Sequence, residues 1–272
     1  MKELNYEEYE ILESLFNQKK QHIPALSVLR GSYPGRVFTD VTERPTLAIV
    51  WATGRWMYAA GNINPEQNKE AVKLFLQDVA LPDCKAQNRS WFEIYTDDSR
   101  EWETLFLGGM DKLNKWNVDK HLESVYVFHS EQFNRRQQYA KPDLTSNLRI
   151  ELSEYPVLPD AYHHLPYVLS KFAEQTTCGA AVKLGESTLS ICKNNGFTAG
   201  REYFIDVDTF EAAERNKGYA EQAATALIDY YLTRGMVPLW ETTHENHPSH
   251  RLASKLGFAP VEQYPVFSFV RR

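Results

Sequence analysis

With 272 residues, 43% of them hydrophobic and 13% aromatic, the chain can build one large or two modest domains around a real core. Its 30 basic and 36 acidic residues leave a net charge of −6, which argues against a nucleic-acid protein with a basic face; it is compatible with a cationic amine substrate, but many soluble proteins are this acidic. No apolar run reaches the roughly 18 residues of a membrane span, no apolar signal core opens the chain, and Cys84, Cys178 and Cys192 are too few and scattered for a disulfide framework, so reduced thiols and a cytoplasmic location are expected.

Residues 4–16 predict a helix with Leu4, Ile11, Leu12, Leu15 and Phe16 on its apolar side. Strands follow at 35–40, 47–51 and 56–60, and Thr53-Gly54-Arg55 makes the last two a hairpin. Asn64, with Gln67 in the capping-box position, reads as the cap of a helix that runs to about residue 79 and stops before Pro82. Strands at 91–95 and 123–128 flank a helix at 100–107. The polar stretch 130–146, which holds Pro142, reads as a linker between an α+β domain at 1–140 and a second domain at 141–272. The tryptophans Trp51, Trp56, Trp91, Trp102 and Trp116 are expected in core or interface.

The second half predicts a strand at 148–152, a helix at 165–176 and a hairpin of 180–184 with 188–192 about Gly185-Glu186. The Gly- and Asn-rich stretch 193–200 reads as a loop, either covering a substrate site or simply joining strands. A strand at 203–208 comes next. Helices mixed with meandering strands indicate an α+β fold, since the strict alternation of a doubly wound sheet is missing.

Arg215-Asn216-Lys217-Gly218-Tyr219-Ala220 then opens a periodic helix whose apolar positions are Ala220, Ala223, Ala224, Leu227, Ile228 and Tyr231, with Gly235 as its stop. Free backbone N–H groups at a helix start carry partial positive charge, and Gly218 has no Cβ to hold an anion away, so this turn can cradle a pyrophosphate. Met236-Val237-Pro238-Leu239-Trp240 reads as a short buried strand. Residues 246–258 then read N-x-x-S-x-x-L-A-x-K-L-G-F, with Pro248 in a first helical turn and Gly257 as the stop.

Strand, R-x-x-G-x-A turn, long helix, strand and N-x-x-S segment, in this order over residues 202–258, resemble the Gcn5-related N-acetyltransferases (GNAT). The likeness is closest to the branch that includes the zwittermicin A resistance acetyltransferases, where a Trp and an acidic residue, here Trp240-Glu241, precede the N-x-x-S segment. The resemblance implies a GNAT-like mixed central sheet flanked by helices in the C-terminal half, with the N-terminal half as a degenerate unit of the same fold. It implies acetyl-CoA as co-substrate and direct transfer of its acetyl group to a small-molecule amine in a ternary complex, the amine being an antibiotic or a metabolite. No nucleic-acid or membrane partner is expected, and a homodimer stays open.

By the same resemblance, the backbone of Val207, Asp208 and Thr209 would meet the pantetheine arm and supply an oxyanion donor. The amides of Arg215, Asn216, Lys217, Gly218, Tyr219 and Ala220 would hold the pyrophosphate, and Asn246 and Ser249 the thiol end. Glu202, Asp206 and Glu241 are the candidate bases that strip the amine of its proton. Two departures stand out. Asn216 replaces a usual Gly, in a turn whose preceding loop is one residue longer than usual, and Ala253 occupies the position of the tyrosine that protonates the leaving thiolate. Either another donor, such as Tyr264 or a water, would then be the acid, or the acid is dispensable, since CoA thiolate is a tolerable leaving group. Ala253 also leaves open a non-enzymatic acyl-CoA sensor or scaffold. His244, His247 and His250 lack the spacing of two ligands on one helical face, so no metal is expected.

Overall fold

The computed structural model of the chain describes residues 1–108, 116–137 and 148–271. The domain boundary expected at residues 140 and 141 lies outside these. Two compact units form: Met1–Glu123 with Leu165–Val168 and Gln263–Arg272, and Ser124–His164 with Leu169–Glu262.

The first unit contains β1 (Lys2–Glu3), α1 (Glu13–Phe16), α2 (Ile23–Leu29), β2 (Gly35–Thr39), β3 (Leu47–Ala52), β4 (Met57–Gly61), α3 (Glu66–Phe75), α4 (Leu81–Ala86), β5 (Trp91–Tyr95), α5 (Arg100–Glu103) and the start of β6 (Trp116–Phe128). The second contains the end of β6, then α6 (Ser130–Gln137), β7 (Leu148–Pro156), β8 (Thr176–Leu184), β9 (Ser187–Ala199), β10 (Glu202–Thr209), α7 (Tyr219–Leu232), β11 (Val237–Thr243), α8 (His247–Lys255) and the start of β12 (Phe258–Arg271), whose remainder returns to the first unit.

Each unit is a mixed sheet with helices on it, and the two share one topology. In the first, β2, β3 and β4 form an antiparallel meander, β4 and β5 run parallel with α3 and α4 between them in sequence, and β12 pairs antiparallel with β5. In the second, β7 to β10 are antiparallel, and β10 runs parallel to β11 with α7 between them. The first unit thus repeats the architecture of the second, as the resemblance implied for the N-terminal half. Its core is aromatic, with Trp102, Phe106, Phe267 and Phe269 buried against Phe75 and Leu76 of the α3 segment. In the second, Ala223, Ala224, Leu227 and Ile228 of α7 are fully buried on Tyr203 and Ile205 of β10, the face that the helical periodicity predicts.

Several expectations change. Residues 4–16 form a 3₁₀ turn at Tyr6–Leu12 followed by the short α1, not one helix. Asn64 does not cap α3: Pro65 stands at the N-cap without a side-chain bond, and Asn62 Oδ1 accepts the Asn64 N–H at 3.0 Å in the turn before it. The helix also passes Pro82, since a wider π-type turn at Leu76–Ala80 restarts the ladder and places Pro82 in the first turn of α4, where an N–H is dispensable. Residues 130–137 of the expected linker are α6, and the rest of that linker lies outside the described residues. No α-helix forms over 165–176; the segment holds only a 3₁₀ turn at Ser170–Phe172, and Tyr167 lays its ring 5.4 Å from the Arg36 guanidinium. Residues 193–199 belong to β9, because Asn194 and Asn195 turn their side chains back onto the N–H groups of Gly196 and Phe197, at 2.9 and 3.0 Å, and keep the irregular strand satisfied. Among the described residues no helix is long and apolar enough to cross a membrane. All three cysteines are free and buried.

Candidate active site

The second unit has an opening where two parallel strands part. β10 pairs with β11 at Glu202↔Val237, Tyr203↔Pro238 and Phe204↔Leu239, and both strands run on beyond these pairs, to Thr209 and Thr243. The parting coincides with a large bulge on the other side of β10. There Asn195, Gly196 and Phe197 of β9 stand opposite the single residue Phe204.

Alternation along the strands assigns the faces. Tyr203 and Ile205 point into the α7 core and Val207 packs against it, so Glu202, Asp206 and Asp208 share the opposite face. Partners in a parallel pair point the same way, so the Phe204↔Leu239 register puts Glu241 on that face too, and Trp240 on the helix face. Asp206 and Glu241 therefore flank the gap from its two strands. Glu202 sits back at the paired end, four residues and about 13 Å from Asp206 along the strand. Asn195 donates to Asp206 Oδ1 at 3.4 Å, a contact made through the bulge.

The strand edge offers backbone groups selectively. The Asp208 carbonyl accepts from Ser190 Oγ at 2.6 Å on the β9 side, and the Phe210 N–H goes to Leu189 on that side as well. Main-chain groups alternate in direction, so Val207 and Thr209, not Asp208, present theirs toward the gap.

The turn before α7 has a matching construction. Asn216 and Gly218 both take left-handed conformations, with φ of 63° and 85°. Asn tolerates this region better than other non-glycine residues, which explains how Asn216 can stand where a Gly is usual. Gly218 is the N-cap, no side chain caps the first turn, and the ladder begins with the Gln222 N–H bonding the Gly218 carbonyl at 3.1 Å. The amides of Tyr219, Ala220 and Glu221 therefore open outward. The Arg215 amide differs from its neighbours, since it donates to the Ala212 carbonyl at 3.2 Å. Lys217 is held by both oxygens of Glu214 at 3.0 Å. In the first unit the corresponding turn before α3 is closed: Asn62 takes the Asn64 N–H, Pro65 has none, and Glu66 brings negative charge to the first turn.

At the start of α8, Asn246 Oδ1 accepts the Ser249 N–H at 3.3 Å as a true cap. Ser249 Oγ accepts the indole N–H of Trp240 at 2.9 Å, which fixes α8 on β11 and leaves the hydroxyl proton for another partner. Ala253 is fully buried in the core beneath. Tyr264 groups with the first unit, buried there with its ring 5.8 Å from Tyr95. Tyr126 and His250 are joined here by a hydrogen bond, although 124 residues separate them and nothing local in the sequence announces the pair. Both ring nitrogens of His250 are engaged, Nδ1 with Tyr126 and Nε2 with the His244 carbonyl. Among the described residues no group of His, Cys, Asp and Glu is placed to hold a metal ion.

A profile of the GNAT acetyltransferase family matches residues 13–267. The chain is similar to an uncharacterised N-acetyltransferase, YdfB, of Bacillus subtilis (strain 168), with 22% identity over 269 residues and 98% of each chain covered. Its fold is similar to that of a GCN5-related N-acetyltransferase-like protein from Streptococcus suis 89/1591, with a TM-score of 0.65, 17% identity, and 97% and 98% of the two chains covered. A tandem GNAT protein from the clavulanic acid biosynthesis pathway gives a TM-score of 0.58 at 10% identity, over 98% and 96% of the chains. The parted strands and the glycine turn are thus set in a chain that belongs to the GNAT acetyltransferase family and is an acyltransferase enzyme.

Proposed function

We propose that the protein transfers the acetyl group of acetyl-CoA to a small-molecule amine by direct attack in a ternary complex. The observation that carries this is the opening of β10 from β11 directly ahead of the Asn216–Gly218 turn. Val207 and Thr209 would pair with the pantetheine arm as a strand edge pairs with a peptide. The amides of Tyr219 and Ala220, with those of Asn216 to Gly218, would hold the pyrophosphate. Asp206 and Glu241, on the far face, would attract the cationic amine and take its proton. A backbone N–H at Val207 or Thr209 would donate to the tetrahedral oxyanion.

Titration calorimetry with acetyl-CoA, against NADH as comparison, tests the reading. Saturable binding of acetyl-CoA at micromolar concentration, followed by release of free thiol with one or more members of an amine panel, is the expected result. A folded sample that binds no acetyl-CoA would overturn it.

The turn itself gives a second expectation. Asn216→Gly should keep acetyl-CoA affinity within about twofold, because glycine accepts the left-handed conformation freely. Asn216→Val should lose about tenfold, since a β-branched residue resists it by about 1–2 kcal/mol. Equal affinity in both variants would show that the left-handed residue is not needed for binding.

A further inference from the structure

We propose that Tyr126, held by His250, is the acid that protonates the departing CoA thiolate, in place of the tyrosine that Ala253 replaces. This rests on the function proposed above. Tyr126 lies in the part of β6 that belongs to the second unit, 6% exposed, and its burial raises the phenol, which keeps it protonated as an acid must be. His250 follows Ser249 in the first turns of α8. That helix start is thereby gripped from two strands, by Trp240 of β11 through Ser249 and by Tyr126 of β6 through His250.

The hydrogen bonds define the proton positions. The His244 carbonyl, 2.8 Å from His250 Nε2, can only accept, so Nε2 carries a proton. In the neutral ring Nδ1 is then an acceptor, and the Tyr126 O–H donates to it. That bond fixes the position of the phenol oxygen.

Tyr126, Trp240 and Ala253 share one buried cluster on the helix face of the second unit, whereas Asp206 and Glu241 project from the other face. Base and acid act on two different bonds of one carbon, so their placement on opposite faces of the gap suits the reaction. Ala253 is fully buried, so a tyrosine there would need space in the same cluster as the Tyr126 ring.

In the step, the amine nitrogen forms the C–N bond and gives its proton to the carboxylate base. The C–S bond breaks and sulfur keeps the electron pair. The Tyr126 O–H turns from Nδ1 to sulfur and gives up its proton, a solvent water reprotonates the phenolate, and the hydroxide so formed takes the proton held by the carboxylate base. Tyr126 is then the catalytic acid and His250 its positioning residue.

A test that needs no acceptor is the ionisation of the thiol of bound CoA. It is followed by thiolate absorbance against the desulfo-CoA complex, in the wild type, Tyr126→Phe and His250→Gln. A thiolate that receives the Tyr126 proton is stabilised, so the bound thiol should ionise about one pH unit lower in the wild type than in Tyr126→Phe, a tenfold effect. His250→Gln should fall between them. With an accepted amine, kcat should drop about a hundredfold in Tyr126→Phe with KM for acetyl-CoA unchanged. If both proteins bind desulfo-CoA equally and the bound thiol ionises at the same pH in each, Tyr126 is only a structural pin and the inference falls. If the wild type binds no desulfo-CoA, the cofactor reading falls first.

Discussion

Gly218→Leu is expected to leave the fold in place and to weaken acetyl-CoA binding at least about a hundredfold. The position separates two effects that usually come together. A Cβ placed on Gly218 would meet no atom within 4 Å, so no packing is disturbed. Its φ of 85° adds backbone strain of about 1–2 kcal/mol, a modest cost to a chain of this size. The new side chain would stand in the open space before the first-turn amides of α7, where an anion must come within hydrogen-bonding distance. Two charge-assisted hydrogen bonds lost, each worth about 1.5–3 kcal/mol, give the hundredfold figure or more. Calorimetry measures the affinity, and a thermal melt in the absence of ligand measures the fold. Affinity within about tenfold of the wild type, in a folded variant, would remove the pyrophosphate assignment.

What the sequence tells and what it hides at this site follow from the range of each interaction. The turn, α7 and α8 are local: helical period, a glycine at each end and the Asn246 cap are all written within a few residues. The parting of β10 from β11 is different. It depends on the register of a strand joined through α7 and on a bulge in β9, where Asn194 and Asn195 satisfy the backbone themselves. A Gly- and Asn-rich stretch with that ability looks like a loop until its pairing is known. Glu202, Asp206 and Asp208 share a face by alternation alone, but only the Phe204↔Leu239 register tells which of the carboxylates stand at the gap. The expected helix at 165–176 fails for a tertiary reason, since Tyr167 is drawn to Arg36. The Tyr126–His250 bond joins residues on β6 and α8 and has no local signature.

Gly257→Ala should have the opposite outcome to the Gly218 substitution: a loss of stability, with cofactor contacts untouched. Both glycines carry similar positive φ, 85° and 87°, so backbone strain of about 1–2 kcal/mol is common to them. The difference lies in what a side chain would meet. A Cβ on Gly257 would come within 2.8 Å of the Phe133 backbone nitrogen and 3.1 Å of the His129 carbonyl oxygen, both at the start of α6. The Gly257 carbonyl also accepts the His129 N–H at 3.0 Å, so the end of α8 and the entry to α6 are locked by backbone. Backbone atoms cannot swing aside as a flexible side chain can. Moving α6 would also disturb Phe133, which is buried with its ring 5.3 Å from that of Phe128. Overpacking of this kind adds about 1–3 kcal/mol, so a total loss of about 2–5 kcal/mol is expected. Urea unfolding followed through the tryptophans measures it. A loss below about 1 kcal/mol would mean that α6 is not held against the α8 stop, because even the strain common to both glycines would then be relieved by local movement.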